Sequence, residues 1–133
     1  MATRSNIAYQ RSNGQVVVAY CHWDGYPEHN GVMLNQHYNN QKKAEELANQ
    51  GYFSGIKETL TESLSDRANE FPPITYHSAH TFYNDVQFDI EWIYLFKNNQ
   101  WNVCVGQSTF IENDLQPLWT VLAKLEEEVS DAS

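Results

Sequence analysis

Apolar residues along this chain recur with two different periods. From Ser5 to Gln10 and from Gln15 to His22 they follow the two-residue period of a strand. The Ser12-Asn13-Gly14 segment between these runs contains Asn-Gly, the strongest short signal for a hairpin. In the second run Val16, Val18 and Tyr20 fall on one face and Val17, Ala19 and Cys21 on the other. A run that is apolar on both faces predicts a central strand covered on both sides. The clearest strand is expected over Gln87 to Phe96, with Phe88, Ile90, Trp92, Tyr94 and Phe96 on one face. Lys97-Asn98-Asn99-Gln100 reads as a turn, and Trp101, Val103 and Val105 return as the partner strand.

Helical spacing appears elsewhere. Gly25 and Pro27 break the second strand, and Val32 to Tyr38 then reads as a short helix carrying Met33, Leu34 and Tyr38. Gln41 to Gln50 reads as a second helix with Ala44, Leu47 and Ala48 inward, and Gly51 stands where a left-handed C-terminal cap is wanted. Tyr52 to Ile56 is apolar enough to pack back on the sheet. Lys57 to Asn69 has weak periodicity and reads either as a poor helix or as part of a mobile insertion over 57–73; Phe71-Pro72-Pro73 ends any helix there. Ile74 to Tyr83 reads as one strand or two short extended pieces. Asp114 reads as an N-cap with Pro117 in the first turn, followed by the stripe Leu118, Leu122, Leu125 and Val129 on a terminal helix lying across the sheet. The sum is an α+β fold, a single domain over 1–133, with a single antiparallel sheet of about five strands and helices packed on it.

Length and charge narrow the function classes. A chain of 133 residues has room for one core. No apolar run approaches the roughly 18 residues of a membrane span, and no apolar block follows Arg4 as in a signal peptide, so no membrane partner is expected. Two cysteines, Cys21 and Cys104, are too few for a disulfide framework and are expected as free thiols in a reducing cytoplasm. The net charge of −9 makes a long nucleic acid an unlikely ligand and suits a basic partner surface. The acids concentrate at the end of the chain, in Glu112, Asp114, Glu126, Glu127, Glu128 and Asp131, where a solvated helix face explains them.

The candidate site is the stretch Tyr20-Cys21-His22-Trp23-Asp24-Gly25-Tyr26-Pro27-Glu28-His29-Asn30-Gly31, which leaves the buried strand and leads into a helix. Strand exits are common places to mount a site, because the scaffold holds the loop. His22, Asp24 and His29 have side chains that suit a borderline cation, but the spacing matches no standard zinc cluster, so no metal and no cofactor are expected. His77 and His80 are three apart and would ligate together only on a helix, where an extended segment is expected. Cys21 and His22 point to opposite faces of a strand, which removes His22 as a base for a thiol nucleophile and leaves Cys21 as a small core residue. Asp24 either pairs with Glu28 in acid–base work or hydrogen-bonds backbone N–H groups of its own turn, and the turn is favoured. Trp23 and Tyr26 either stack on a planar ligand, with Arg4 holding a phosphate and Asn6 close by, or Trp23 caps the core and Arg4 pairs with Asp24. The aromatic strands over 88–105 present an exposed ring patch to a partner protein or, as is more usual, serve as core, and one face could form an oligomer interface. The residues bet on for binding are Arg4, Asn6, His22, Trp23, Asp24, Tyr26, His29 and Tyr38.

The segment Met1-Ala2-Thr3-Arg4-Ser5-Asn6-Ile7, followed by Tyr20-Cys21-His22-Trp23-Asp24-Gly25-Tyr26-Pro27 and a Leu- and Tyr-bearing helix, resembles a family of small accessory proteins encoded by tailed bacteriophages, with copies in bacterial chromosomes. The resemblance spans residues 1–56, is looser over Asp89 to Trp101, and is broken over 57–86, where a short linker would be expected. It carries over no catalytic residue. It implies a protein acting in the cytoplasm of an infected bacterium. The resulting expectation is a non-enzymatic protein that binds and blocks or sequesters a host component: an immune effector, a nucleotide signal or the transcription machinery. The alternative is a small enzyme acting on a nucleotide or a protein, with His22 and Asp24 as acid and base.

Overall fold

β1 (Ser5–Gln10) and β2 (Val16–Cys21) form the expected hairpin, in antiparallel register from Ser5 opposite Cys21 to Gln10 opposite Val16. The computed structural model describes residues 2–132, with side chains as far as Glu128. Met1 and the side chains of Val129 and Asp131 therefore lie outside the described residues. After β2 the chain makes a π-helical turn at Pro27–Gly31, then α1 (Val32–His37), α2 (Gln41–Ala48) and β3 (Tyr52–Phe53). Next come α3 (Leu60–Ser65), β4 (Ile74–Tyr76), α4 (Ala79–Asn84), β5 (Trp92–Lys97) and β6 (Gln100–Val105). A single helical turn α5 (Ile111–Asp114), the short β7 (Gln116–Pro117) and the terminal α6 (Leu118–Ala132) complete the chain.

The α+β class holds, but the sheet is neither five-stranded nor antiparallel throughout. Seven strands run in the order β3-β2-β1-β5-β6-β7, with β4 also on β2. Two ladders are parallel, β2 with β3 and β1 with β5. The reason is the length of the connections. Parallel neighbours need a crossover of at least about a dozen residues. The stretch from His22 to Gly51 supplies one, and its helices α1 and α2 lie over the sheet.

β2 is covered on both faces, as its apolar pattern predicts. Val17, Ala19 and Cys21 join Ile7, Tyr94 and Trp101 beneath Leu34 of α1, Leu47 of α2 and Leu118 of α6. Val16 and Val18 face the other way with Ala8, Ile93 and Leu95, beneath Phe82 of α4 and Ile111 of α5. Trp101 donates its indole N–H to the Tyr38 carbonyl at 3.1 Å, tying α1 to the far hairpin. That hairpin turns at Asn98 and Asn99, both left-handed at φ 53° and 62°, the geometry of a two-residue turn.

Three expectations are corrected. The strand does not extend back to Gln87, because Ile90 N–H bonds the Gln87 carbonyl at 3.1 Å and closes a turn. That turn shifts the parity, so Ile90 packs with Ile93 and Leu95 while Trp92, Tyr94 and Phe96 face the opposite side. Phe88 is left in solvent. Ile74 to Tyr83 is not extended throughout: Ser78 accepts from Thr81 N–H at 3.1 Å and caps α4. Asp114 is no N-cap for the terminal helix. It ends α5 and its carboxylate accepts from the Ser108 hydroxyl, after which Gln116–Pro117 join β6 before α6 begins. Within 57–69, Thr59 caps α3 by accepting from Glu62 N–H at 3.1 Å, and Ser63 accepts from Lys57 N–H at 2.8 Å.

Gly51 has the left-handed φ of +80° expected after α2, and a second reason to be glycine. The Phe71-Pro72-Pro73 backbone crosses it so closely that a Cβ there would sit 1.9 Å from the Phe71 carbonyl oxygen. Gly51→Ala is therefore expected to destabilise the fold by at least about 2 kcal/mol. Gly55→Ala, which adds a Cβ with nothing within 4 Å, should stay within about 0.5 kcal/mol. Urea unfolding of the two variants measures the contrast, and equal midpoints would contradict it.

Candidate functional site

The backbone of the candidate stretch is pinned residue by residue. His22 N–H and Trp23 N–H continue the pairing past β3, to the Phe53 carbonyl at 3.0 Å and the Ser54 carbonyl at 2.8 Å. Asp24 then turns the chain with a left-handed φ of 59°. Gly25 N–H bonds the Thr3 carbonyl at 2.9 Å, and a Cβ on Gly25 would lie 2.7 Å from that same oxygen. From the core, the Tyr94 hydroxyl donates to the Gly25 carbonyl at 2.6 Å. Burial in this setting raises the Tyr94 pKa well above the usual tyrosine value.

Many of the polar heads in the stretch hold structure. Asn30 donates its amide to Ser5 Oγ at 3.3 Å and Cys21 Sγ at 3.4 Å, while its buried Oδ1 has no partner among the described residues. His29 Nε2 meets the Ile56 carbonyl at 3.1 Å. Asp24 accepts from the Tyr26 hydroxyl at 3.1 Å, the contact that raises the Tyr26 pKa. His22 Nδ1 meets the Tyr20 hydroxyl at 2.8 Å. Among the described residues no three His, Cys, Asp or Glu side chains are grouped to hold a metal ion. Arg4 pairs with Asp89 at 3.6 Å, and not with Asp24, the partner in one of the two alternatives for it.

The predicted binding residues thus divide. Tyr38 is buried in the core, its hydroxyl donating to the Lys57 carbonyl at 2.7 Å, and His29 is turned toward the same side of the fold. Arg4, Asn6, His22 and Trp23 gather around Tyr20 instead. Burial raises the Tyr20 pKa, and the neighbouring Arg4 guanidinium opposes that rise.

From Trp23 a series of neighbouring rings runs through the partly exposed His22 and Tyr20 and the buried Tyr52 to Phe71. Trp23 meets His22 edge-on at 4.7 Å between centroids, His22 lies 6.0 Å from Tyr20, Tyr20 5.8 Å from Tyr52, and Tyr52 meets Phe71 edge-on at 5.5 Å. Both ends are open to solvent, Trp23 being 47% and Phe71 57% exposed. The Phe71 end opens into a cleft of about 430 Å³. Asn6 and Tyr20, opposite each other across the β1–β2 ladder, line it with Tyr52 and Phe71, and Phe88 and Asp89 reach it from the turn before β5. Phe71 was missed by sequence reasoning, and Phe88 was read as part of the aromatic strands rather than of this cleft. Their signal is a phenylalanine standing alone among polar or proline neighbours, which a folding core does not require.

Cys21 is the least available group in the stretch. Burial pushes its thiol up to about 11 from 9.0, and burial pushes Cys104 up to about 12. A thiol with a raised folded pKa contributes stability that is fully present below pH 9.0 and is lost as pH rises through the folded value. The Cys21 contribution should therefore stay level up to pH 9.0 and be lost from there toward pH 11. Neither thiol should react with a disulfide reagent in the folded protein at pH 8, and both should react once unfolded. Rapid labelling of Cys21 without unfolding would restore the thiol-nucleophile reading.

No helix of the described residues is long and apolar enough to cross a membrane. Compared with protein-family models, curated proteins and solved structures, the chain matches none of them.

Proposed function

We propose that this chain is a non-enzymatic accessory protein of a tailed bacteriophage that binds and blocks a host protein in the cytoplasm of the infected cell. The observation that carries this reading is the ring series from Trp23 to Phe71, open at both ends and set on a backbone pinned from both sides. Aromatic side chains dominate the energetics of protein interfaces, and rings already held against one another lose little freedom on binding. The net charge of −9 adds long-range attraction for a basic partner. His22 and Asp24, the pair an enzyme reading would use, are engaged with Tyr20 and Tyr26 rather than with each other.

Capture of host proteins on the immobilised chain, from a lysate of a phage-sensitive bacterium, tests this reading. The wild type should retain one host protein in stoichiometric amount. Trp23→Ala combined with Asp24→Asn should lose it. Asn suits the left-handed φ of 59° better than Ala would. Because Trp23 is half exposed, the variant should lose only about 1 kcal/mol, rather than the ~3–5 kcal/mol of a buried tryptophan, and should melt within a few degrees of wild type. A variant that is insoluble or unfolded would make Trp23 a structural residue, and a wild type that retains no host protein would remove the blocking function.

A further inference from the structure

The cleft beside Phe71 has a composition that selects among ligands. Three of its rings, Tyr20, Tyr52 and Phe71, form one end of the aromatic series, and Phe88 stands over it 87% exposed. Two carboxylates line it, Asp85 and Asp89. Asp89 faces Arg4 at 3.6 Å. Asp85 accepts from the Tyr76 hydroxyl at 2.6 Å, and among the described residues it has no cationic partner. Asn6 is only 9% exposed and lines the same cleft.

We infer that this cleft receives a cationic side chain, an arginine of a basic segment on the partner protein. The inference rests on the reading that the target is a protein. A guanidinium lays its plane against ring faces, donates to carboxylates, and keeps donors to spare for an amide oxygen. The cleft offers all three: the rings, the Asp85 carboxylate and the Asn6 side chain. Lysine satisfies the charge but presents a compact ammonium without a stacking plane. An anionic nucleotide would bring its phosphate toward two carboxylates with one guanidinium, already engaged, to offset them.

The test uses N-acetyl-arginine methylamide, with the lysine counterpart and adenosine monophosphate as comparisons, titrated into isotope-labelled protein at low salt and followed by amide NMR. The arginine compound should shift the amides of Asn6, Tyr20 and Tyr52 and of residues 85–90, with weaker shifts from lysine. Asp85→Asn should weaken that binding about threefold, and Phe71→Ala by at least as much. Both side chains are exposed, so unchanged amides in β6 should verify the fold of each variant. Stronger binding of the nucleotide at these amides, equal binding by the variants, or no response to arginine would overturn the inference. Host capture that survives Phe71→Ala would overturn it too, while leaving the host-binding reading in place. Arginine binding by a wild type that captures no host protein would support the cleft and remove the proposed blocking function instead.

Discussion

A strand paired along both edges and covered on both faces has no free surface except at its ends, and β2 is such a strand. β1 occupies one edge, while β4 pairs with its start and β3 with its finish on the other. Backbone groups in that setting are satisfied by neighbouring strands, so side chains alone can present anything outward. Along Val16–Cys21 only Tyr20 keeps partial exposure. Whatever the strand offers a ligand must therefore begin at Tyr20 and continue past Cys21. The ring series does so, passing to His22 and Trp23 in one direction and to Tyr52 and Phe71 in the other.

The same constraint explains why many polar heads of the stretch are engaged in structural contacts. Leaving a doubly covered strand means turning the chain against a closed sheet, and each turn leaves backbone groups to satisfy. Thr3 and Tyr94 hold Gly25, and His29 reaches the Ile56 carbonyl. Asn30 bridges Ser5 and Cys21. With these polar groups committed, the exposed side chains of the stretch are Trp23 and Tyr26 beside Asp24 and Glu28. Burial acts in the same direction on the titratable groups, holding the Cys21, Cys104 and Tyr94 side chains in their neutral forms.

Local patterns were legible in the chain where they were strong and short in range. Val16–Cys21 announced a doubly covered strand, Asn98-Asn99 announced a tight turn, and Ala44, Leu47 and Ala48 announced the inward face of α2. What the chain concealed depended on one hydrogen bond or on distant pairing. Gln87 to Phe96 alternates like one strand, yet the Ile90–Gln87 bond closes a turn and reassigns every residue before Glu91. Ser78 converts an apparently extended piece into α4 by capping it. The parallel pairing of β1 with β5 joins segments more than 80 positions apart in the chain, and no local period encodes it. The candidate site followed the same rule. The motif around Trp23 was visible because its residue types are contiguous, while the cleft draws on Asn6, Tyr52, Phe71 and Phe88 from separate elements.

Exposed phenylalanines beside a partly open cleft set a physical question that the fold alone does not answer. An apolar side chain in water forgoes roughly 1.5–3 kcal/mol that burial would contribute. Phe71 has a partial structural justification, because its ring packs on Tyr52 and its backbone crosses Gly51. Phe88 has none of this kind: it lies on a turn, outside both core clusters and without a stacked ring. Its neighbours sharpen the point, since Asp89 beside it is held by Arg4 and the turn is closed by its own backbone bond. A serine or asparagine would suit the turn as well and would cost nothing in exposed apolar area. Under the proposed host-binding reading, the apolar area of Phe88 is covered in the complex, and the energetic reason for a ring at this position lies there.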